Sequence, residues 1–253
     1  MKKLLIVGLT VVFSSSAMAW GNCDETRKID REIAVGAATK LNVRAGAGEL
    51  EIKGEKRDDI VIRARLCSED ADALAAMDVM SELLGDTVSI ETKYPEKGLF
   101  GGNKSARIDL VLVVPEAMAL KVADSSGDAS VENVAALHIT DSSGDLEIDK
   151  VAGDLWLTDS SGDIDIEDVL GNVELTDSSG DIEAEFISGN FVIDADSSGD
   201  IEISDARQDV LIKRDSSGSI EVNNVGGDFT VKADTSGGIK HAKVLGKVSL
   251  PRK

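Results

Sequence analysis

Asp-Ser-Ser-Gly begins at Asp124, Asp141, Asp159, Asp177, Asp196 and Asp215, and decays to Asp-Thr-Ser-Gly at Asp234. The steps between copies are 17, 18, 18, 19, 19 and 19 residues. A second acid follows the glycine as Asp145, Asp163, Asp181 and Asp200. If one step is one structural turn, these carboxylates stack into rows. Rows of oxygen ligands are what a hard cation such as Ca²⁺ takes. The metal candidates are thus Asp141, Asp159, Asp177 and Asp196 in one row, and Asp145, Asp163, Asp181 and Asp200 in the other. The bland account needs no ligand. Asp159 has the parity of inward Leu155 and Leu157, so it sits at a corner and can accept hydrogen bonds from the backbone of Ser161 and Gly162. The outer row then holds only loose counterions. Capping is the preferred account and calcium the alternative.

Other chemistry is thinly represented. His138 lies between Leu137 and Ile139 and faces solvent alone, while His241 has inward parity in the last copy, where a packing role is expected. Neither has a nucleophile and orienting acid of its own, and the recurring serines read as turn residues. Polysaccharide lyases of β-helical build need Lys or Arg in the groove, and the acidic repeats argue against that substrate. Trp156 is the aromatic that the repeat places outward, and it is isolated. No catalytic or cofactor-binding residues are expected, and the chain reads as a non-enzyme.

The elements that must carry these rows are short strands. Leu146 and Ile148, then Val151, Gly153, and Leu155 and Leu157 recur in register in later copies. Each copy is two strands with period-two alternation, separated by two turns. A pair this short cannot bury its apolar face alone, but stacked copies share one inner column. The fold class is all-β, a β-solenoid of 17–19 residues per coil. A β-sandwich of hairpins would not need so strict a register, and the apolar steps do not fix the hand. Leu41, Val43, Gly48, Leu50 and Ile52 align with Leu137, Ile139, Gly144, Leu146 and Ile148. Strands are expected over 60–66, 87–92 and 106–114. A helix is expected over 69–84, with Ser68 as N-cap, Gly85 as C-cap and a core stripe of Leu74, Met77, Met80 and Leu84. Tyr94 to Lys104 reads as a mobile loop. Residues 20–118 form a capped N-terminal β region, and 119–253 the regular solenoid. The helix is a candidate cover for one end, and Pro251-Arg252-Lys253 blunts the other.

Leu41-x-Val-x-x-Gly-x-Gly-Glu-Leu-x-Ile52, a strand ending in Val114-Pro115, and serial Ser-Ser-Gly-Asp-Ile turns resemble the bacterial "putative adhesin" family. The resemblance covers nearly the whole mature chain. It implies a β-helical fold in a domain of unknown function, with no catalytic residues to carry over.

The 253-residue chain holds 47 acids against 27 Lys and Arg, a formal charge of −20. That sign argues against nucleic acid or anionic lipid as partner. Residues 124–205 carry 23 acids and one base, Lys150, whereas residues 206–253 carry 5 acids and 9 bases. Residues 1–19 read as a secretory signal: Lys2 and Lys3, an apolar run from Leu4 to Phe13, and Ala17-Met18-Ala19. No later stretch is apolar enough to span a bilayer. Cys23 and Cys67 are the two cysteines, and in an exported chain they are expected to form one disulfide. The expected place is the periplasm, with secretion second, and the expected role is a structural or interaction module with a protein or envelope partner.

Overall fold

The computed structural model describes residues 23–95 and 106–252. The expected signal and most of the 94–104 loop lie outside them. The chain begins with β1 (Glu25–Ala34), β2 (Lys40–Arg44), β3 (Leu50–Glu55), β4 (Asp59–Ser68), α1 (Ala71–Ala76), β5 (Asp78–Leu84), β6 (Thr87–Lys93) and β7 (Ala106–Pro115). Strand pairs then follow, one pair per coil. They are β8 (Ala119–Ala123) with β9 (Ala129–Val134), β10 (Ala136–Thr140) with β11 (Leu146–Val151), and β12 (Leu155–Thr158) with β13 (Ile164–Val169). Next come β14 (Val173–Thr176) with β15 (Ile182–Glu185), β16 (Phe191–Ala195) with β17 (Ile201–Ala206), and β18 (Val210–Ile212) with β19 (Ile220–Val225). β20 (Phe229–Val231), β21 (Ile239–Val244) and β22 (Val248–Ser249) finish the chain.

Two 11-stranded sheets result, and every pairing from β8 onward is parallel, as a β-solenoid requires. Sheet A runs β1-β4-β7-β3-β9-β11-β13-β15-β17-β19-β21, and sheet B runs β22-β20-β18-β16-β14-β12-β10-β8-β2-β6-β5. The coil β2–β3 lies directly on β8–β9, although more than sixty residues separate them in sequence. The intervening chain forms a further coil outside it, with β6 on β2 and β7 on β3. β4 and β1 then continue sheet A antiparallel.

Inside, one apolar column runs the length of the molecule. Ile148, Ile166 and Ala184 stack in register and are buried, as are Leu155, Val173 and Phe191. Fully burying such a side chain contributes about 1.5–3 kcal/mol. The irregular apolar steps have a backbone cause. Asn133, Lys150, Asp168, Phe186, Asp205, Asn224 and Lys243 all have φ between 53° and 59°. A left-handed residue at that corner resets the pleat, so Val151 points inward three residues after Ile148 rather than two. Asn and Asp tolerate this conformation, whereas Phe does not. Phe186 is also 46% exposed. Phe186→Asn should therefore raise stability by about 1 kcal/mol, read as a higher midpoint in urea unfolding with an unchanged slope.

The segment expected as one helix over 69–84 is divided. α1 spans only Ala71–Ala76, capped by Asp70, whose side chain accepts from Ala73 N at 2.8 Å, and ending at Met77. Residues 78–84 are strand β5, joined to β6 by a tight turn at Gly85-Asp86 and paired with it antiparallel. Only half of the expected stripe is core. Leu74 and Met77 are buried, and Met80 and Leu84 are exposed. Cys23 and Cys67 form the expected disulfide, 44 residues apart, with Cα atoms separated by 5.6 Å. The chain-entropy model gives a loop of this size about 4 kcal/mol. The bridge fastens the start of β1 to the end of β4.

Candidate functional site

The repeat turn assigns a different job to each residue. Asp124, Asp141, Asp159, Asp177, Asp196 and Asp215 form a row inside the wall and are buried. The groups facing the Asp159 carboxylate are the backbone N–H of Ser160 and Ser161. Gly162 N instead donates to Ser179 O at 3.1 Å, which corrects the expected capping partners. Only at Asp196 does such a contact close to hydrogen-bond geometry, with Ser198 N donating to Oδ1 at 3.2 Å. The second serine donates along the axis. Ser161 Oγ reaches Ser142 O at 3.2 Å, Ser179 Oγ reaches Ser160 O at 3.1 Å and Ser217 Oγ reaches Ser197 O at 3.0 Å. The glycine has φ of 135° at Gly162 and 136° at Gly180, and a Cβ added there would fall on the glycine carbonyl of the neighbouring coil.

The outer acids are also tied into the wall. Asp145 Oδ1 accepts from Asp163 N at 3.0 Å, Asp163 Oδ1 from Asp181 N at 2.9 Å, and Asp181 Oδ1 from Asp200 N at 2.8 Å. Asp200 Oδ1 in turn accepts from Ser219 N at 2.7 Å. A parallel ladder at the opposite corner runs through Asp154, Asn172, Asn190, Asp209 and Asp228. Each of these side chains satisfies a backbone donor that the turn would otherwise leave bare. The two candidate metal rows thus lie in separate files. Among the described residues, no three His, Cys, Asp or Glu side chains converge on one metal position.

Burial is the main influence on the inner row. It raises Asp124 from the ordinary 3.8 to about 7, with the charge of Asp141 adding to it and the Ser125 N–H opposing it. Asp196 rises to about 6 through burial and then the charges of Asp177 and Asp215. Asp141, Asp159, Asp177 and Asp215 shift upward, also mainly by burial. A carboxyl raised in the fold keeps its proton where the unfolded chain has lost it. The stability these carboxyls contribute is therefore fully present below about pH 4 and is lost as pH climbs through the raised values. The melting temperature should decline steadily between about pH 4 and pH 7. Asp124→Asn should flatten the upper part of that decline, measured by thermal unfolding in matched buffers.

Acids that sequence reasoning left unsorted collect on the outer face of sheet A. Glu51, Ser130, Glu147, Asp165, Glu183, Glu202 and Glu221 form one stacked row. Lys53, Glu132, Asp149, Glu167 and Glu185 form the next. With the ladder Asp128, Asp145, Asp163 and Asp181, the first of these rows, from Glu51 to Glu183, lines a groove of about 620 Å³. Partial burial, then Asp165 and Glu202, hold Glu183 above the usual carboxylate range. The corresponding outer row of sheet B is Lys121, His138, Trp156, Glu174, Val192, Leu211 and Thr230, with a single acid. His138 and Trp156 stack there in register, their rings 6.5 Å apart, so His138 does not stand alone. Trp156 is joined as an exposed aromatic by Phe186. His241 is exposed rather than packed, because β21 is the outermost described strand of sheet A, although it keeps a ring contact with Phe229 at 6.0 Å. The signal for the acidic wall was present in sequence, at the position between Leu146 and Ile148 and its equivalents.

These features define a parallel β-solenoid with one acidic wall. A family model described as Toastrack DUF4097 matches residues 37–248, and the chain belongs to that family. No curated protein matches the chain. Among solved structures, it is similar to a "putative adhesin" from Bacteroides fragilis, at 16% identity over 88% of this chain and 97% of that one, with a TM-score of 0.50. It also matches a "putative lipid binding protein" from Parabacteroides distasonis, at 19% identity over 89% and 97% of the two chains, TM-score 0.45. A "putative adhesin" from Parabacteroides merdae matches at 11% identity over 88% and 96%, TM-score 0.40. At these identities the likeness concerns the fold. No helix among the described residues is long and apolar enough to cross a membrane.

Proposed function

We propose that the chain is an exported, non-enzymatic β-solenoid that acts as a structural or adhesin-like interaction module in the periplasm, with secretion as the second choice. One observation carries the interaction reading: the acids are sorted onto one continuous wall, around the groove between the Asp128–Asp181 ladder and the Glu147–Asp165–Glu183 row. A surface of one sign steers partners of the other. The partner it suits is a cationic protein or envelope component. The export reading draws on the signal-like start and the Cys23–Cys67 bridge. The serines support a non-enzymatic role, since the second serine of the turns from Ser143 to Ser236 donates to a backbone carbonyl.

The wall is tested by capture from a native periplasmic extract with the wild-type chain and with Glu147→Gln/Asp165→Asn/Glu183→Gln. A partner held by the first and lost by the second supports the reading, and equal recovery contradicts it. The rival reading, a calcium-dependent binding protein, draws on the same groove, which Asp145, Asp163 and Asp165 line from two adjacent rows.

A further inference from the structure

The two ends of the solenoid differ in charge, and both leave apolar side chains uncovered. At the first end, residues 69–86 hold six acids and no base. Asp78 pairs with Arg31 and Asp86 with Lys40, both at 2.9 Å, while Asp72 and Glu82 are exposed. The strand within this segment, β5, is the outermost strand of sheet B, and Met80, Leu83 and Leu84 on it are 53%, 50% and 59% exposed. The outermost strand of sheet A at this end, β1, has three acids and three bases.

At the other end, residues 239–252 hold four bases, Lys240, Lys243, Lys247 and Arg252, and no acid. Lys240 is paired with Glu221 at 3.4 Å. This segment supplies β21 and β22, the outermost strands of the two sheets. The described part of the inner column ends here. Ile239, Val244 and Val248 are only partly covered, Leu250 is 41% exposed and neighbouring Leu245 is 83% exposed. Among the described residues nothing pairs with the outer edges of β21 and β22. Open strand edges beside uncovered apolar side chains are templates for further pairing.

Charge selects the occupant. Two C-terminal ends would set Lys243, Lys247 and Arg252 against their own copies, and two N-terminal ends would oppose acid to acid. Only the unlike ends are complementary. We propose that a second copy of this chain docks head to tail, with its β5 and β1 end on the β21 and β22 end of the first. Both sheets then continue across the junction, with β22 antiparallel to the next β5 and β21 parallel to the next β1. The contact uses different surfaces on the two copies and nothing in it closes a ring, so it propagates as a filament. Along that filament the acidic wall of sheet A repeats once per copy. The inference rests on the ends alone and does not depend on whether the wall binds a partner.

Sedimentation velocity of the full mature chain, from micromolar to near-millimolar concentration, tests it. The wild-type weight-average mass should climb with concentration and pass the dimer without a plateau. Lys247→Glu/Arg252→Glu should remove the association, as should Asp72→Lys/Glu82→Lys, each weakening it at least about tenfold. An equimolar mixture of the two variants should associate again, because each now offers the end the other lacks. That rescue separates a lost contact from a lost fold. A wild-type chain that stays monomeric, a plateau at the dimer, or a mixture that fails to reassociate would each overturn the proposal.

Discussion

Ile166→Asp should melt the central coils. Ile166 is fully buried and stacked between Ile148 on one side and Ala184 on the other. A carboxylate placed there has only apolar neighbours along the column, and a buried unpaired charge is among the costliest single changes, about 4 kcal/mol or more. Coils exchange their stabilising contacts only with their neighbours, so a defect in the middle divides the stack. Asp165→Asn is the matched control. Asp165 is exposed between Glu147 and Glu183, so removing its charge relieves repulsion and should leave the melting temperature unchanged or slightly higher. Circular dichroism melts of the two variants read the difference. Equal melting would refute the inward–outward assignment of the whole stack.

Gly162→Ala should be nearly as damaging, for a backbone reason. Gly162 has a φ of 135°, which side-chain-bearing residues rarely adopt. An added Cβ would also fall on the carbonyl oxygen of Gly144, which is main chain and cannot swing away. Strain and overpacking together give a loss of about 3 kcal/mol or more. Ser161→Ala, one residue earlier, removes only the bond to Ser142 O on the exposed side of the turn. Its cost should be about 0.5–1 kcal/mol. Urea unfolding of both variants distinguishes a glycine required by coil spacing from a glycine that is merely habitual in turns.

What could be read from residues alone follows from what repetition makes visible. The register of Ile148, Ile166 and Ala184 was legible because every coil states it again, and stacking converts equal sequence position into equal spatial position. The alignment of Leu41 and Leu50 with Leu137 and Leu146 held for the same reason, as β2 and β3 sit on the columns of β8 and β9. The segment over 69–84 appears once, so nothing corrected the local pattern. Leu74, Met77, Met80 and Leu84 are spaced as a helical stripe, yet pairing of residues 78–84 with β6 outweighs that local preference. The corner at Lys150 left a trace, the step of three between Ile148 and Val151, whose meaning depends on a backbone angle. The two rows of Asp were legible as rows. Which backbone groups the outer row meets was not, because those donors belong to the adjacent coil, as Asp181 N does for Asp163.

The central proposal is that the recurring Asp, Ser and Gly build the wall of the solenoid and hold no specific ion, while the acidic face between them meets partners. Thermal unfolding in Ca²⁺ against Na⁺ at equal ionic strength tests it most directly, with the wild type compared to Asp163→Asn/Asp181→Asn. Asn retains a side-chain oxygen able to accept the N–H of the next coil, as Asn172 does for Asn190. Both chains should gain the same modest stability from either salt, through screening of the stacked acids. A melting temperature raised by millimolar Ca²⁺ alone, and raised no longer in the double variant, would contradict the account and make the outer row a calcium site.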